Sequence, residues 1–201
     1  MRIIEKAQSK NFQRRVKVLA ESIAQLLPNS TLTILDVGCG DGFIDRWIMD
    51  LRSNVTITGC DILVRNQTHI PVMKFNGETL PFINKSFDYT FFVDVLHHIS
   101  DPSMLLGEAK RVSRRGIIIK DHITDKVFAR QILRFMDDAG NRRYQVNLPY
   151  NYWSESRWHK EFSDLDLHIH TWITNLPIYP WWAYWLFGSG LHILVKLEIK
   201  K

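Results

Sequence analysis

Residues 35–42, LDVGCGDG, place glycines at 38, 40 and 42 between a short apolar run, TLTILDV, and an amphipathic one, DGFIDRWIMDL. Alternate glycines where a buried strand hands over to a helix are a strong constraint on fold. They let the backbone turn sharply and let a ligand touch the main chain. The helix beyond presents N–H groups that have no partner within the helix. The pattern therefore predicts an α/β chain with a nucleotide-like ligand at this loop.

The ligand is not a dinucleotide on this reading. The dinucleotide pattern G-x-G-x-x-G needs its third glycine where this chain has Phe43, and Gly42 comes one residue early. Carboxylates flank the loop at Asp36 and Asp41. They disfavour a pyrophosphate and favour a cationic amine. A nucleoside that carries positive charge and lacks phosphate fits, and S-adenosylmethionine has that description.

The rest of the chain supports alternation of strand and helix. Phe12, Val16, Leu19, Ile23 and Leu26 recur at helical spacing before Pro28. NVTITGCD, HIPVMKF, FDYTFFVDV and RGIIIKD read as short strands. DPSMLLGEAKRV reads as a helix capped by Asp101 with Pro102 in its first turn, and TDKVFARQILRFMDDAG as a helix ending on Gly140. Strands alternating with helices imply a parallel sheet. LDLHIHTWIT and LHILVKLEIK alternate by twos and read as an antiparallel pair, joined by NLPIYPWWAYWLFGSG.

Composition narrows the class. The 201 residues suit one domain. A net charge of +5 permits anionic partners without demanding them. Cys39 and Cys60 fall at the ends of inner strands and read as reduced thiols, and no zinc-ligand spacing is present. The basic N-terminus lacks an apolar core of the secretory kind, and no run of 18 apolar residues occurs, so the expectation is cytoplasmic.

LDVGCGDG, GCDI, FNGETLPF, FDYTFFVDVLHHISDP and EAKRVSRRGIIIKDH together resemble the class I S-adenosylmethionine-dependent methyltransferases, in the small-molecule branch called the type 11 methyltransferase domain. The resemblance covers roughly residues 30–125. It implies a Rossmann-like three-layer α/β/α sandwich, with a seven-stranded, mostly parallel sheet in the order 3-2-1-4-5-7-6 and the last strand antiparallel. It implies one methyltransferase domain over 1–201: an N-terminal helix (1–28), a cofactor-binding core (30–125), and a substrate-side insert with the C-terminal strand pair (126–201).

The resemblance also assigns residues. Asp36, Gly38, Cys39, Gly40 and Gly42 would hold the cofactor at the loop. Asp61 and Ile62 would meet the ribose, Asn76, Gly77 and Glu78 the adenine, and Asp94 and Val95 the mouth of the fourth strand. Asn76 departs from the family's aspartate, although an amide can still accept from the adenine amino group. The function implied is methyl transfer to an oxygen, nitrogen or carbon nucleophile of a small molecule, with S-adenosylhomocysteine as product and no metal. A nucleic-acid methyltransferase and a non-catalytic S-adenosylmethionine-binding protein are the rivals. No appended RNA-binding module or N-P-P-Y motif supports the first.

Beyond the cofactor, His122 and His98 are the candidate bases, and His97 reads as a packed partner. Asp88 reads as a strand cap, and Arg14, Arg15, Arg114 and Arg115 as solvated charge. Tyr150, Tyr152, Trp181, Trp182 and Tyr184 are candidate acceptor contacts, while Trp153 and Trp158 could frame the acceptor or pack. The aromatic run from Leu176 to Gly188 is expected to form a partly exposed cover over the acceptor, with membrane-surface contact and plain core as the other readings. The sequence does not fix the oligomeric state.

Overall fold

The structure is a computed structural model and describes residues 2–141 and 149–200. The N-terminal helix α1 spans Arg2–Leu26. β1 (Leu32–Val37), α2 (Phe43–Leu51), β2 (Val55–Asp61) and β3 (Val72–Lys74) follow. β4 (Phe87–Val93) leads through one turn of 3-10 helix at Leu96–His98 into α3 (Pro102–Val112) and β5 (Ser113–His122). The chain ends with α4 (Ala129–Asn141), α5 (Glu155–Asp164), β6 (Leu167–Ile173), α6 (Trp181–Phe187) and β7 (His192–Ile199).

One sheet of seven strands runs β3-β2-β1-β4-β5-β7-β6. β7 is antiparallel to both β5 and β6, and the remaining pairings are parallel. Side chains on a strand alternate between its faces, and here both faces are covered. Ile34, Phe91, Ile118 and Leu194 point to the layer of α1 and α2. Leu35, Phe92, Ile117, Ile119 and Val195 point to the layer holding α3 and α5. The inner strands are apolar throughout because both faces need burial.

Local signals account for much of this. The Asp101 side chain accepts from the Met104 N–H at 3.0 Å, with Pro102 following, as a capped helix start requires. The helix expected over 124–140 instead begins at Ala129 and includes Gly140. Residues before it form a turn closed by the Ala129 N–H on the Lys126 carbonyl, with Phe128 at positive φ. Helix α5 was not anticipated. Ser154 caps it, and it buries Trp158 and Phe162, so Trp158 is packing and not an acceptor frame. The connection from β6 to β7 carries the short helix α6. Residues 142–148, part of the expected acceptor segment, lie outside the described residues. Among the described residues, no helix is long and apolar enough to cross a membrane.

Candidate active site

The loop after β1 answers why three glycines are needed. All three have positive φ (75°, 61° and 74°), a region that L side chains avoid. Their surroundings differ. A Cβ on Gly38 would stand 2.6 Å from Val95 Cγ2, and one on Gly42 would stand 2.3 Å from Ile70 Cγ1. A Cβ on Gly40 would meet nothing within 4 Å. The outer two glycines thus let the protein pack against its own backbone, while Gly40 presents bare main chain to open space at the carboxyl edge of the sheet.

Asp61 ends β2 and fastens this loop. Its Oδ2 accepts from the Gly40 N–H at 2.8 Å and its Oδ1 from the Leu63 N–H at 2.8 Å. Ile62 is exposed beside Gly77. Asn76 uses its amide oxygen within its own turn, accepting from the Glu78 and Thr79 N–H groups at 2.9 Å each. That engagement differs from the adenine contact expected of the oxygen. Glu78 is exposed, and Cys39 is a partly buried free thiol.

Asp36 lies beneath the loop, buried, beside Asp45 of α2, and Asp36 Oδ1 and Asp45 Oδ2 have no hydrogen-bond partner among the described residues. Burial, then the charges of Asp45 and Asp61, push Asp36 well above the ordinary carboxylate range. Burial pushes Asp45 up to about 7. Two buried carboxyl groups side by side disfavour a double negative charge, so one of them holds its proton more tightly.

Beside the loop, a polar cluster fills the ends of β4 and β5. Asp94 follows β4 at positive φ (57°) and accepts from Arg15 of α1 and Lys120 of β5. Burial opposes its charge, but Lys120 and then Arg15 overcome that and hold its carboxyl well below the ordinary range. His122 Nε2 lies 3.6 Å from Asp94 Oδ1 and 3.9 Å from Asp137 Oδ1. His122 Nδ1 lies 3.0 Å from His192 Nδ1, and His192 Nε2 lies 2.8 Å from the Phe187 carbonyl. The carbonyl can only accept, so His192 Nε2 carries the proton and His192 Nδ1 accepts from His122 Nδ1–H. His122 Nε2 is then the lone-pair nitrogen. Burial, then Lys120 and His97, hold His122 well below the ordinary imidazole value, so it is neutral at neutral pH.

His97 is the packed partner of the pair, with Nδ1 2.6 Å from Asp121 Oδ1. Burial works against its charge, but Asp121 and then Asp137 push it up to about 10. The His98 ring sits 3.9 Å from that of His97, and burial followed by the His97 charge lowers it. The adjacent imidazoles lie against each other at 52°.

Arginines read as solvated have partners. Arg15 pairs with Asp94, Arg14 donates to the Pro177 carbonyl, and Arg114 and Arg115 flank Asp88. Asp88 itself accepts from the Thr33 N–H at 2.9 Å and so fastens β4 to β1. Sequence reasoning missed Arg15, Lys120, Asp137 and His192. His192 is the register partner of His122 across the β5–β7 pair, a relation visible only once that register is known.

Among the candidate acceptor contacts, Tyr152 donates to Asp137 and packs near His97 and His122. Tyr150 donates to Asp138, and both tyrosines line a cavity of about 460 Å³ with Asp101, Arg130, Trp153 and Arg157. Trp181, Trp182 and Trp185 do not join that cavity, being 87%, 65% and 78% exposed. Tyr184 is half-buried and donates to Asn175 Oδ1 at 3.3 Å.

Residues 35–120 match the family model described as a methyltransferase domain. An uncharacterised protein of Methanocaldococcus jannaschii, MJ1123, is 29% identical over 113 residues, 52% of this chain and 55% of that protein. The chain thus spans about half the length of the curated relative it matches. Among solved structures, a methyltransferase of Aquifex aeolicus that depends on S-adenosylmethionine has a TM-score of 0.64 at 16% identity, covering 98% of each chain. A Haloferax volcanii chain solved in complex with the Trm112 methyltransferase activator has a TM-score of 0.66 at 14% identity, covering 97% of this chain and 95% of that one.

Proposed function

We propose that this chain, a class I S-adenosylmethionine-dependent methyltransferase with a type 11 methyltransferase domain, methylates an oxygen, nitrogen or carbon nucleophile of a small molecule with apolar character. The observation that carries the reading is the bare Gly40 backbone, open to space and tied to the Asp61 carboxylate, with Val95 packed on Gly38 joining that loop to the histidine cluster. These residues fit the cofactor. Asp61 would hold its ribose hydroxyls, Gly38 and Gly40 would let it rest on the main chain, and the 76–78 turn would border its adenine.

When bound, the cofactor supplies a methyl group on a sulfonium, already a good leaving group. The chain's own task is to hold the acceptor in line at near-attack distance and to exclude water, and orientation alone can supply much of the rate. For an acceptor hydroxyl, His122 Nε2 is the base that takes the proton. Its lone pair is fixed by the His192–Phe187 relay, and burial keeps it unprotonated at neutral pH, at the cost of basicity. Tyr150 and Tyr152 border the acceptor. The exposed indoles of α6, with Val127 and Phe128 also exposed, favour an apolar or membrane-held acceptor over a free polar one.

The test is turnover. Purified chain is offered S-adenosylmethionine with lipid, metabolite or RNA extracts, and S-adenosylhomocysteine is measured. Formation with lipid or metabolite extract supports the reading. Formation with RNA alone replaces it, and cofactor binding without turnover in any extract points to a non-catalytic binding protein.

A further inference from the structure

We propose that His97, His98 and Asp137 bind a divalent first-row transition ion of the zinc class beside the candidate acceptor site. The three come from the turn after β4 and from α4, and each brings one donor atom within 4.8 Å of the other two. His97 is 2% exposed, and its Nε2 has no hydrogen-bond partner among the described residues. His98 Nδ1 is buried and likewise lacks one. A buried polar atom without a partner costs stability, so two of them on adjacent side chains call for an occupant.

The His97–Asp137 spacing suits an ion. His97 Nε2 stands 3.4 Å from Asp137 Oδ2. Donor atoms bonded at about 2.0–2.1 Å to a tetrahedral zinc stand roughly 3.3 Å apart. The groups behind the donors are also those of metal sites. Asp121 Oδ1 grips His97 Nδ1 at 2.6 Å, which fixes the ring and leaves Nε2 to point at Asp137. The Leu96 and His122 N–H groups hold Asp121 in turn, at 3.0 and 2.7 Å, and the Tyr152 hydroxyl donates to Asp137. Asp121 and Asp137 bring two negative charges, which match a divalent cation. Two imidazoles and one carboxylate suit zinc, iron(II), nickel or copper better than magnesium or calcium. The competing occupant is a proton, with His97 an imidazolium between Asp121 and Asp137.

The test needs neither cofactor nor acceptor, so failure of the methyl-transfer reading leaves it intact. The full chain is stripped with a chelator, titrated with Co²⁺ while its visible absorption is followed, and back-titrated with Zn²⁺. One equivalent per chain is expected, displaced by zinc. His98→Ala and Asp137→Asn should each weaken uptake at least about tenfold, with melting curves recorded in chelator to show that the variants fold. His97→Gln is avoided, because it breaks the buried contact with Asp121. The proposal is overturned if the parent chain takes up neither ion at micromolar concentration. Undiminished uptake by the double variant would place the ion elsewhere, for instance on the exposed His168 and His170, and would overturn it equally.

Discussion

Asp61 Oδ2 accepts a 2.8 Å hydrogen bond from the Gly40 N–H, so the acid at the end of β2 holds in place the one glycine of the loop that faces open space. The carboxylate shapes the loop, and under the proposed function it would also meet the ribose. Asp61→Ala should weaken S-adenosylmethionine binding by about 1.5–3 kcal/mol, the range for hydrogen bonds to a charged group. Calorimetry checks it. A variant that binds as tightly as the parent would remove the ribose role from Asp61.

Gly38 and Gly40 should respond differently to the same change. Valine at either position suffers the positive-φ penalty, about 1–2 kcal/mol. At Gly38 it also collides with Val95, so Gly38→Val should melt well below the parent. At Gly40 it meets no protein atom, so Gly40→Val should fold with a modest loss and fail to bind the cofactor. Thermal melts and calorimetry on both variants separate the cases. Unchanged cofactor affinity in Gly40→Val would mean that the open space is not the ligand's.

The buried pair Asp36–Asp45 gives a pH dependence with a definite sign. Both carboxyl groups are raised by the fold, Asp45 to about 7. Their contribution is fully present below the ordinary value of 3.8 and is lost as pH rises through about 7. In that window the native state binds more protons than the unfolded one, so stability falls with rising pH. Asp45→Asn removes one of the two titrating groups and leaves Asp36, which burial still raises. Between about pH 5 and pH 8, its urea midpoint should therefore change less than the parent's. Parallel midpoint curves for the two proteins would show that Asp45 does not titrate in that window.

Much of this arrangement was legible because its signals are local. The cradle follows from glycine spacing, and the strands follow from β-branched runs that both sheet faces bury, such as Ile117, Ile118 and Ile119. The histidine cluster was only half legible, for a physical reason. His98 and His122 stand at strand ends in recognisable motifs, but His192 reaches His122 through an antiparallel register 70 residues away, and Asp137 arrives on α4. Arg15 was invisible as a partner because nothing local distinguishes an arginine that pairs with Asp94 from one in solvent. Helix α5 was missed because its buried face is a few aromatic residues within a polar stretch.

His122→Gln should lower turnover on an oxygen acceptor by about 10²–10⁴, the usual contribution of a positioned base. Cofactor affinity should stay at the parent's value, since the side chain faces Asp94 and Asp137 and not the glycine loop. Turnover assays with calorimetry test both halves. Full activity in His122→Gln and in His98→Ala would leave orientation as the whole of the catalysis.

The aromatic segment divides into a buried part and an exposed part, and each predicts its own mutant. Leu176 and Ile178 are buried in the layer under α1, and Ala183 is the buried residue of α6. Trp181, Trp182 and Trp185 point outward, while Lys126 holds the helix from below through the Trp185 and Ser189 carbonyls. Large indoles with few rotatable bonds, left in water, suit an apolar contact made elsewhere. Trp182→Ala should therefore keep the parent melting temperature and lose acceptor affinity or liposome binding. Trp158→Ala is the contrast: that indole is buried against Trp153 and Phe162 and donates to the His122 carbonyl at 3.0 Å. Its removal should cost roughly 3–5 kcal/mol, as large-to-small aromatic changes in a core do. A large stability loss in Trp182→Ala with unchanged acceptor kinetics would make the α6 indoles structural and remove the proposed apolar contact.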